Sequence, residues 1–353
     1  MKNKKVTVAM SGGIDSAVAA LLIKNQGYET VGATMKLCDR MLPDGTDAAE
    51  IDVNDAKAIC DKLDIPHRVY DLSGEFDSTV IKDFIDTYMR GATPNPCIVC
   101  NKHLKFGRLL DLEMQTGADY IATGHYAKIE QNENGRFLLK KAADPKKDQT
   151  YMLWSLTQNQ LSHALFPLGN MSKVEIREIG AQNGFVNAHK SDSQDICFIP
   201  DGDYAAFIEN KLGKQYPQGN YVDENGNILG KHKGMIHYTI GQRKGLGISM
   251  NKHIFVIEKN AINNTVTLAD EDRLFKNKVV IRNINLIPFD KIEGRIRVEA
   301  KIRYSQSQSP AYAEQTGEDE ITLTFDTPQR APARGQSAVM YNGDTVIGGG
   351  IIQ

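Results

Sequence analysis

The chain is short of cysteine, of long apolar runs and of net charge, and each shortage excludes something. Its 353 residues hold five cysteines, Cys38, Cys60, Cys97, Cys100 and Cys197. That number is too small and too odd for a disulfide-built domain, and it fits a reducing compartment in which particular thiols have chemical roles. The longest apolar run, 17–23, falls far below the roughly 18 residues that span a bilayer. After the first lysines only Val6 to Met10 precede Ser11-Gly12-Gly13, too little for the apolar core of a secretory signal. The expectation is a cytoplasmic protein with no membrane association. Forty-two basic and 44 acidic residues leave a net charge of −2, so a surface for a polyanion has to be local.

Local charge is indeed uneven. Residues 39–86 carry 13 acids and 5 bases, whereas 231–259 carry 6 bases and one acid, and 276–303 carry 8 bases and 3 acids. Two basic stretches in the later part of the chain raise the odds of a polyanionic partner, although most charge runs are simply solvated faces.

A length of 353 residues suggests two or three domains. The first 125 residues alternate apolar strand-like runs (5–10, 29–35, 68–72, 119–123) with helical spacing, as at Ala56, Ile59, Cys60 and Leu63. Such alternation implies parallel βαβ units in a doubly wound α/β sheet. A hairpin is expected at Glu133-Asn134-Gly135, and helical segments at 150–164 and 173–183. Beyond Asp201 the chain turns rich in glycine and β-formers. From 295 to 304 charged and apolar residues alternate strictly, a strand with one solvated face. The expected architecture is a nucleotide-binding domain at 1–200, a small β-rich central domain at 201–272 and a C-terminal β-barrel at 273–353.

The strongest motif is Ser11-Gly12-Gly13-Ile14-Asp15-Ser16, directly after a strand and opening a helix. Two glycines allow a tight turn whose N–H groups converge on a phosphate, the helix adds partial positive charge, and Ser11 and Ser16 add hydroxyls. The ordinary alternative is a capped Gly turn. The Gly-Lys-Ser/Thr ending of the common NTPase loop is missing. Ser-Gly-Gly-x-Asp-Ser resembles the pyrophosphate-binding loop of the ATP pyrophosphatases, which adenylate an oxygen of their substrate.

A second motif is Thr93-Pro94-Asn95-Pro96-Cys97-Ile98-Val99-Cys100-Asn101-Lys102. Two prolines hold an extended segment, and a helix is expected just after Cys100. A thiol at a helix start beside Lys102 is expected to have a depressed pKa. Cys-x-x-Cys reads as a redox couple, a pair of zinc ligands or part of an iron–sulfur site, and zinc lacks two further ligands at suitable spacing. The third motif, Asp195-Ile196-Cys197-Phe198, taken alone reads as a small core cysteine; beside Cys100 it becomes a candidate second thiol. Cys60 fits a buried helix face, and Cys38 has no assigned role.

The succession Ser11 to Ser16, Pro94-Asn95-Pro96 with Cys100-Asn101-Lys102, Ala122-Thr123-Gly124-His125-Tyr126, Lys147-Asp148-Gln149-Thr150-Tyr151, Asp195-Ile196-Cys197-Phe198 and Lys301-Ile302-Arg303-Tyr304 resembles the bacterial tRNA-specific 2-thiouridylases over essentially the whole chain. The resemblance implies ATP-dependent replacement of the wobble uridine's C2 oxygen by sulfur, with Mg²⁺ accompanying ATP. It implies ATP contacts from Ala9, Met10, Ser11, Gly12, Gly13, Ile14, Asp15, Ser16, Met35 and Gly124. It implies Asn95, Pro96 and Cys97 around the target base, and tRNA contacts from His125, Lys147, Asp148, Gln149, Arg303, Tyr304 and Gln336. Tyr304 also reads as a core residue of its strand, and Gln336 as a solvated turn residue. Cys100 matches the family's nucleophile and Cys197 its persulfide carrier, the two closing a transient disulfide; a sulfur-donor protein, a cysteine desulfurase or sulfur-relay protein, is the implied partner. Many members carry Asp where this chain has Cys97. Cys97, Cys100 and Cys197 also form the inventory for three ligands of a [4Fe–4S] cluster. Two alternatives are another ATP pyrophosphatase, acting on a small molecule, and, from a different class, a non-catalytic thiol or iron–sulfur carrier that binds RNA.

Overall fold

A computed structural model describes residues 4–38, 45–185, 196–248 and 252–353. The chain divides into two units, Met1–Ile81 with Cys97–Phe198 and Asp344–Ile347, and Lys82–Pro96 with Ile199–Gly343 and Gly348–Gln353. Among the described residues no helix is long and apolar enough to cross a membrane.

The first unit is built on five parallel strands. Strand β1 (Lys5–Ala9) leads through the glycine loop into helix α1 (Ile14–Asn25), then β2 (Glu29–Lys36), α2 (Ala48–Lys62) and β3 (His67–Asp71). The later strand β4 (Tyr120–Ala122) lies on the other side of β1, and Ala164–Leu165 pairs beyond it, giving the order β3-β2-β1-β4 and then Ala164–Leu165. Val6 and Val8 of β1 and Ala17 to Ala20 of α1 are fully buried, because a central parallel strand is covered on both faces. The sheet reverses its winding between β1 and β4, and in open α/β sheets ligands bind outside the carboxyl ends of the strands at such a switch point. The doubly wound expectation therefore holds, and the glycine loop lies at its functional end.

Under the same sheet a carboxylate gathers four partners. Glu113, fully buried, accepts from Thr7 (2.8 Å), from Tyr70 (2.7 Å), from Arg68 (2.6 Å) and from Thr116 (3.1 Å). It ties the helix Leu109–Gln115 to β1 and β3.

Three local expectations are corrected. The helix around the Cys-x-x-Cys pair starts at Pro96, not after Cys100: Pro96–Cys100 continues into a wide-turn segment, Asn101–Arg108, and then Leu109–Gln115. Proline favours the first helical position, since its missing N–H is an orphan there. The stretch read as helical at 150–164 holds only short turns, Thr150–Met152 and Gln158–Ser162, before the strand Ala164–Leu165. The strand from Arg295 ends at Lys301, leaving Arg303 and Tyr304 in the turn that follows.

In the second unit a four-stranded sheet runs in the order Phe255–Asn260, Thr265–Ala269, Gly219–Val222, Ile228–His232. Tyr88 of the helix Lys82–Met89 stacks on Tyr204 at 5.0 Å. Six antiparallel strands close a barrel: Phe275–Leu286, Arg295–Lys301, Ser309–Gly317, Glu320–Arg330, Ser337–Asn342 and Thr345–Ile352, the first pairing with the last. Val298 and Ala300 are buried while Arg295, Arg297 and Glu299 are exposed, as the alternation requires.

Candidate active site

The loop after β1 is held by its own hydroxyls. Ser16 Oγ donates to the Gly13 carbonyl (3.0 Å) and accepts from the Ser11 N–H (3.2 Å), and the Gly13 N–H donates to Ser11 Oγ (3.4 Å). Gly12 takes φ +72°, and a Cβ there would meet the Asp52 carbonyl at 2.8 Å, so glycine is required on both counts. The Gly13 side of α1 has no side-chain cap. Its first N–H groups are thus available to an anion at the positive end of the helix. Gly124, just past β4, presses on this start: a Cβ would lie 2.8 Å from the Asp15 carbonyl carbon and 2.9 Å from the Ser16 nitrogen. Met10 is buried and hydrogen-bonded to β2 through its N–H and the Ala33 carbonyl, and Met35 lies further along β2, half-buried. Ala9, Met10, Ser11, Gly12, Gly13, Ile14, Asp15, Ser16 and Gly124 are brought together at the switch point.

Asp15 has partners that motif reading misses. Its carboxylate accepts from Lys173 Nζ at 2.7 and 2.8 Å and from the Tyr126 hydroxyl at 2.8 Å. Lys173 is the first residue of the helix Lys173–Gln182, which Ser172 and Glu175 cap reciprocally. The signal that could have flagged it is Ser172-Lys173-Val174-Glu175, a capping box with a cation placed against the helix dipole.

All five cysteines are free thiols. Cys97 and Cys197 keep exposed surface while Cys100 is buried. The expected depression of the thiol pKa is corrected: packing around the sulfurs raises those of Cys97 and Cys100 and pushes Cys197 up to about 12. Cys100 ends the first helical segment instead of preceding a helix, so no helix start favours its thiolate. The cation that opposes burial at all three is Lys105, not Lys102. Cys197 also feels Cys100, Cys97 and Cys38, which brings the distant cysteine into the neighbourhood of the Cys-x-x-Cys pair. Asp195 of its motif lies outside the described residues. Cys60 is buried in the core, its thiol pushed up to about 11, a packing residue as expected. Among the described residues no three His, Cys, Asp or Glu side chains converge to hold a metal ion. Among the described residues the donor set for a cluster is not gathered.

Several residues expected to touch tRNA use their side chains within the fold. His125 is buried between Phe106 and Phe166 and shares a hydrogen bond with Thr123 (2.7 Å); burial holds its pKa well below the usual range, so it is neutral. Asp148 accepts from the Ala142 N–H and the Thr150 hydroxyl, and Gln149 accepts from the Tyr126 N–H. Lys147 is half-buried beside them. In the second unit Arg303 donates to the Ala331 carbonyl, while Tyr304 is 41% exposed, with Lys301 5.6 Å above its ring, and is not core. Gln336 is half-buried and bonded to backbone, not simply a solvated turn residue. It donates to the Thr93 and Pro94 carbonyls at 3.2 and 2.8 Å, and the Thr93 N–H donates to the Arg334 carbonyl. These bonds fasten the segment that leads into Asn95 and Pro96.

Three family models match, described as tRNA methyl transferase HUP domain over 4–201, tRNA methyl transferase PRC-barrel domain over 205–270 and Aminomethyltransferase beta-barrel domain over 276–352. The chain is 51% identical over 360 residues to the tRNA-specific 2-thiouridylase MnmA of Clostridioides difficile, covering 99% of this chain and 98% of that one. It is 47% identical over 359 residues to the protein of the same name from Acetivibrio thermocellus, covering all of both chains. Such identity, sustained through all three matched regions, is that of one family: the chain belongs to the tRNA-specific 2-thiouridylases.

Proposed function

We propose that this chain is an ATP-dependent tRNA sulfurtransferase that replaces the C2 oxygen of the wobble uridine by sulfur. The observation that carries the reading is that one unit holds both a preorganised phosphate loop at a sheet switch point and a group of interacting thiols. The methyl-transfer wording of two family models gives no account of these thiols; the relatives' names do.

A uridine C2 oxygen is a poor leaving group. In-line attack of that oxygen on the α-phosphate of ATP forms an adenylate and expels pyrophosphate. The Ser11 to Ser16 loop, with Ala9, Met10, Met35 and Gly124, would bind ATP and stabilise the departing charge through fixed N–H donors. Mg²⁺ would accompany the phosphates as counter-ion. A persulfide on Cys197, loaded by a donor protein, then attacks C2 and AMP leaves. Cys100 attacks the inner sulfur, leaving the outer sulfur on the base and a Cys100–Cys197 disulfide that a dithiol reductant reopens. Asn95, Pro96 and Cys97 would surround the base, which must leave its stack to react. His125, Lys147, Asp148, Gln149, Arg303, Tyr304 and Gln336 would shape the tRNA surface, several by holding backbone rather than by direct contact.

The division proposed is catalytic at 1–200, central at 201–272 and tRNA-binding at 273–353. A test is pyrophosphate release on mixing ATP with tRNA carrying or lacking the wobble uridine. Release confined to the uridine-bearing tRNA supports the reading, and release stimulated equally by both overturns it.

A further inference from the structure

The phosphate loop has a shortage of its own. Between Val6 and Ile23 the chain contains no lysine or arginine, so a triphosphate bound there receives backbone donors and hydroxyls but no cation from the loop. The fold brings one from elsewhere. Lys173, 158 residues downstream of Asp15, is 8% exposed, and its ammonium lies 2.7 Å from Asp15 Oδ1 and 2.8 Å from Oδ2. Asp15 itself belongs to the loop and stays about one-third exposed, at 32% of its side chain.

The placement is costly as mere structure. A lysine at the first position of a helix opposes the helix dipole, which disfavours it there. Burying its ammonium adds a desolvation cost that the pairing with a partly exposed Asp15 has to offset. The Tyr126 hydroxyl fixes the carboxylate that receives the ammonium, and the Lys173 N–H donates to Asp144 Oδ2 at 3.2 Å, fixing the base of the side chain. The result is a cation on a flexible stem, parked on the loop by an acid that a polyanion would outbid.

We propose that Lys173 is the cation of the phosphate site: its ammonium binds the β- and γ-phosphates of ATP, the task that a loop lysine performs in the common NTPase motif, and Asp15 holds it in register until ATP arrives. The proposal deepens the reading of residues 11 to 16 as an ATP loop and rests on it.

The test uses the full chain without tRNA and titrates AMP and α,β-methylene-ATP, each with Mg²⁺, by calorimetry. In the parent the analogue should bind more tightly than AMP. Lys173→Met should weaken the analogue tenfold or more while leaving AMP within about twofold, and Lys173→Arg should restore most of the loss. Because Lys173→Met leaves Asp15 without its cation, the double variant Asp15→Asn/Lys173→Met is decisive; it replaces the ion pair with neutral groups, and its circular dichroism and thermal melt are compared with the parent's to show that it is folded. Weak analogue binding in the double variant supports Lys173 as a phosphate ligand. Recovery to the parent affinity, or equal loss for AMP and analogue in the variants, overturns the proposal. A parent chain that binds no analogue would instead overturn the ATP-loop reading itself.

Discussion

Gly124 and the first turn of α1 are in backbone contact: a methyl group on Gly124 would stand 2.8 Å from the Asp15 carbonyl carbon and 2.9 Å from its Cβ. The turn after β4 thereby sets the height of the phosphate loop, although the two are more than 100 residues apart in sequence.

The Gly124→Ala variant is expected to push α1 away from β4, with a stability loss of about 1–3 kcal/mol from overpacking. Thiolation should fall at least tenfold through weaker ATP binding, while tRNA affinity stays near the parent value. Parallel titrations of ATP analogue and tRNA check this division.

Gln336 reaches the Thr93 and Pro94 carbonyls with one amide nitrogen. The Gln336→Leu variant leaves both acceptors without that donor, at a cost of about 1–2 kcal/mol. If the residue acts by holding the segment before Asn95, kcat for thiolation should drop with little change in tRNA affinity. Single-turnover rates beside filter-binding curves measure both.

How much of this was legible in the sequence differs by residue. The doubly wound sheet and the loop at its end follow from strand–helix alternation and from two glycines that local geometry demands. The barrel follows from alternation along 295–301, where Arg295, Arg297 and Glu299 are exposed and Val298 and Ala300 are buried. The thiol environment did not follow, because motif spacing says where a helix can start but not how tightly a sulfur is packed. Ala164–Leu165 is too short to leave a periodic signal and pairs only because β4 offers an edge. Lys173 was missed because a single lysine reads as surface until the fold brings it to Asp15.

The protein packed around the Cys197 sulfur has a pH consequence, although the residue keeps exposed surface. With its pKa pushed up to about 12, the thiol is protonated at neutral pH. Peptide-resolved alkylation by iodoacetamide at pH 8 should modify Cys197 in the native chain at least tenfold more slowly than in the unfolded chain, since only thiolate reacts. The native rate should keep rising with pH beyond 9, where an ordinary cysteine levels off. The sign of the linkage agrees: the folded state holds this proton more tightly, so its stabilising contribution is complete below the unfolded pKa of about 8.5 and fades as pH climbs toward 12.

Glu113 is the fully buried acceptor for Thr7, Arg68, Tyr70 and Thr116. Glu113→Ala strips four donors of their acceptor and leaves Arg68, one-third exposed, without its buried partner. Unfolding by urea should show a loss of about 3 kcal/mol, with ATP and tRNA affinities intact at temperatures where the variant stays folded.

The proposed reaction is sulfur transfer to tRNA by Cys100 and Cys197 at the expense of ATP. Its most direct test is mass spectrometry of tRNA nucleosides after incubation with ATP, a dithiol and a persulfide source, for the parent, Cys100→Ser and Cys197→Ser. 2-Thiouridine derivatives at the wobble position are expected for the parent only, and none when ATP is omitted. Thiolation that persists in both cysteine variants, or that proceeds without ATP, would contradict the proposed reaction.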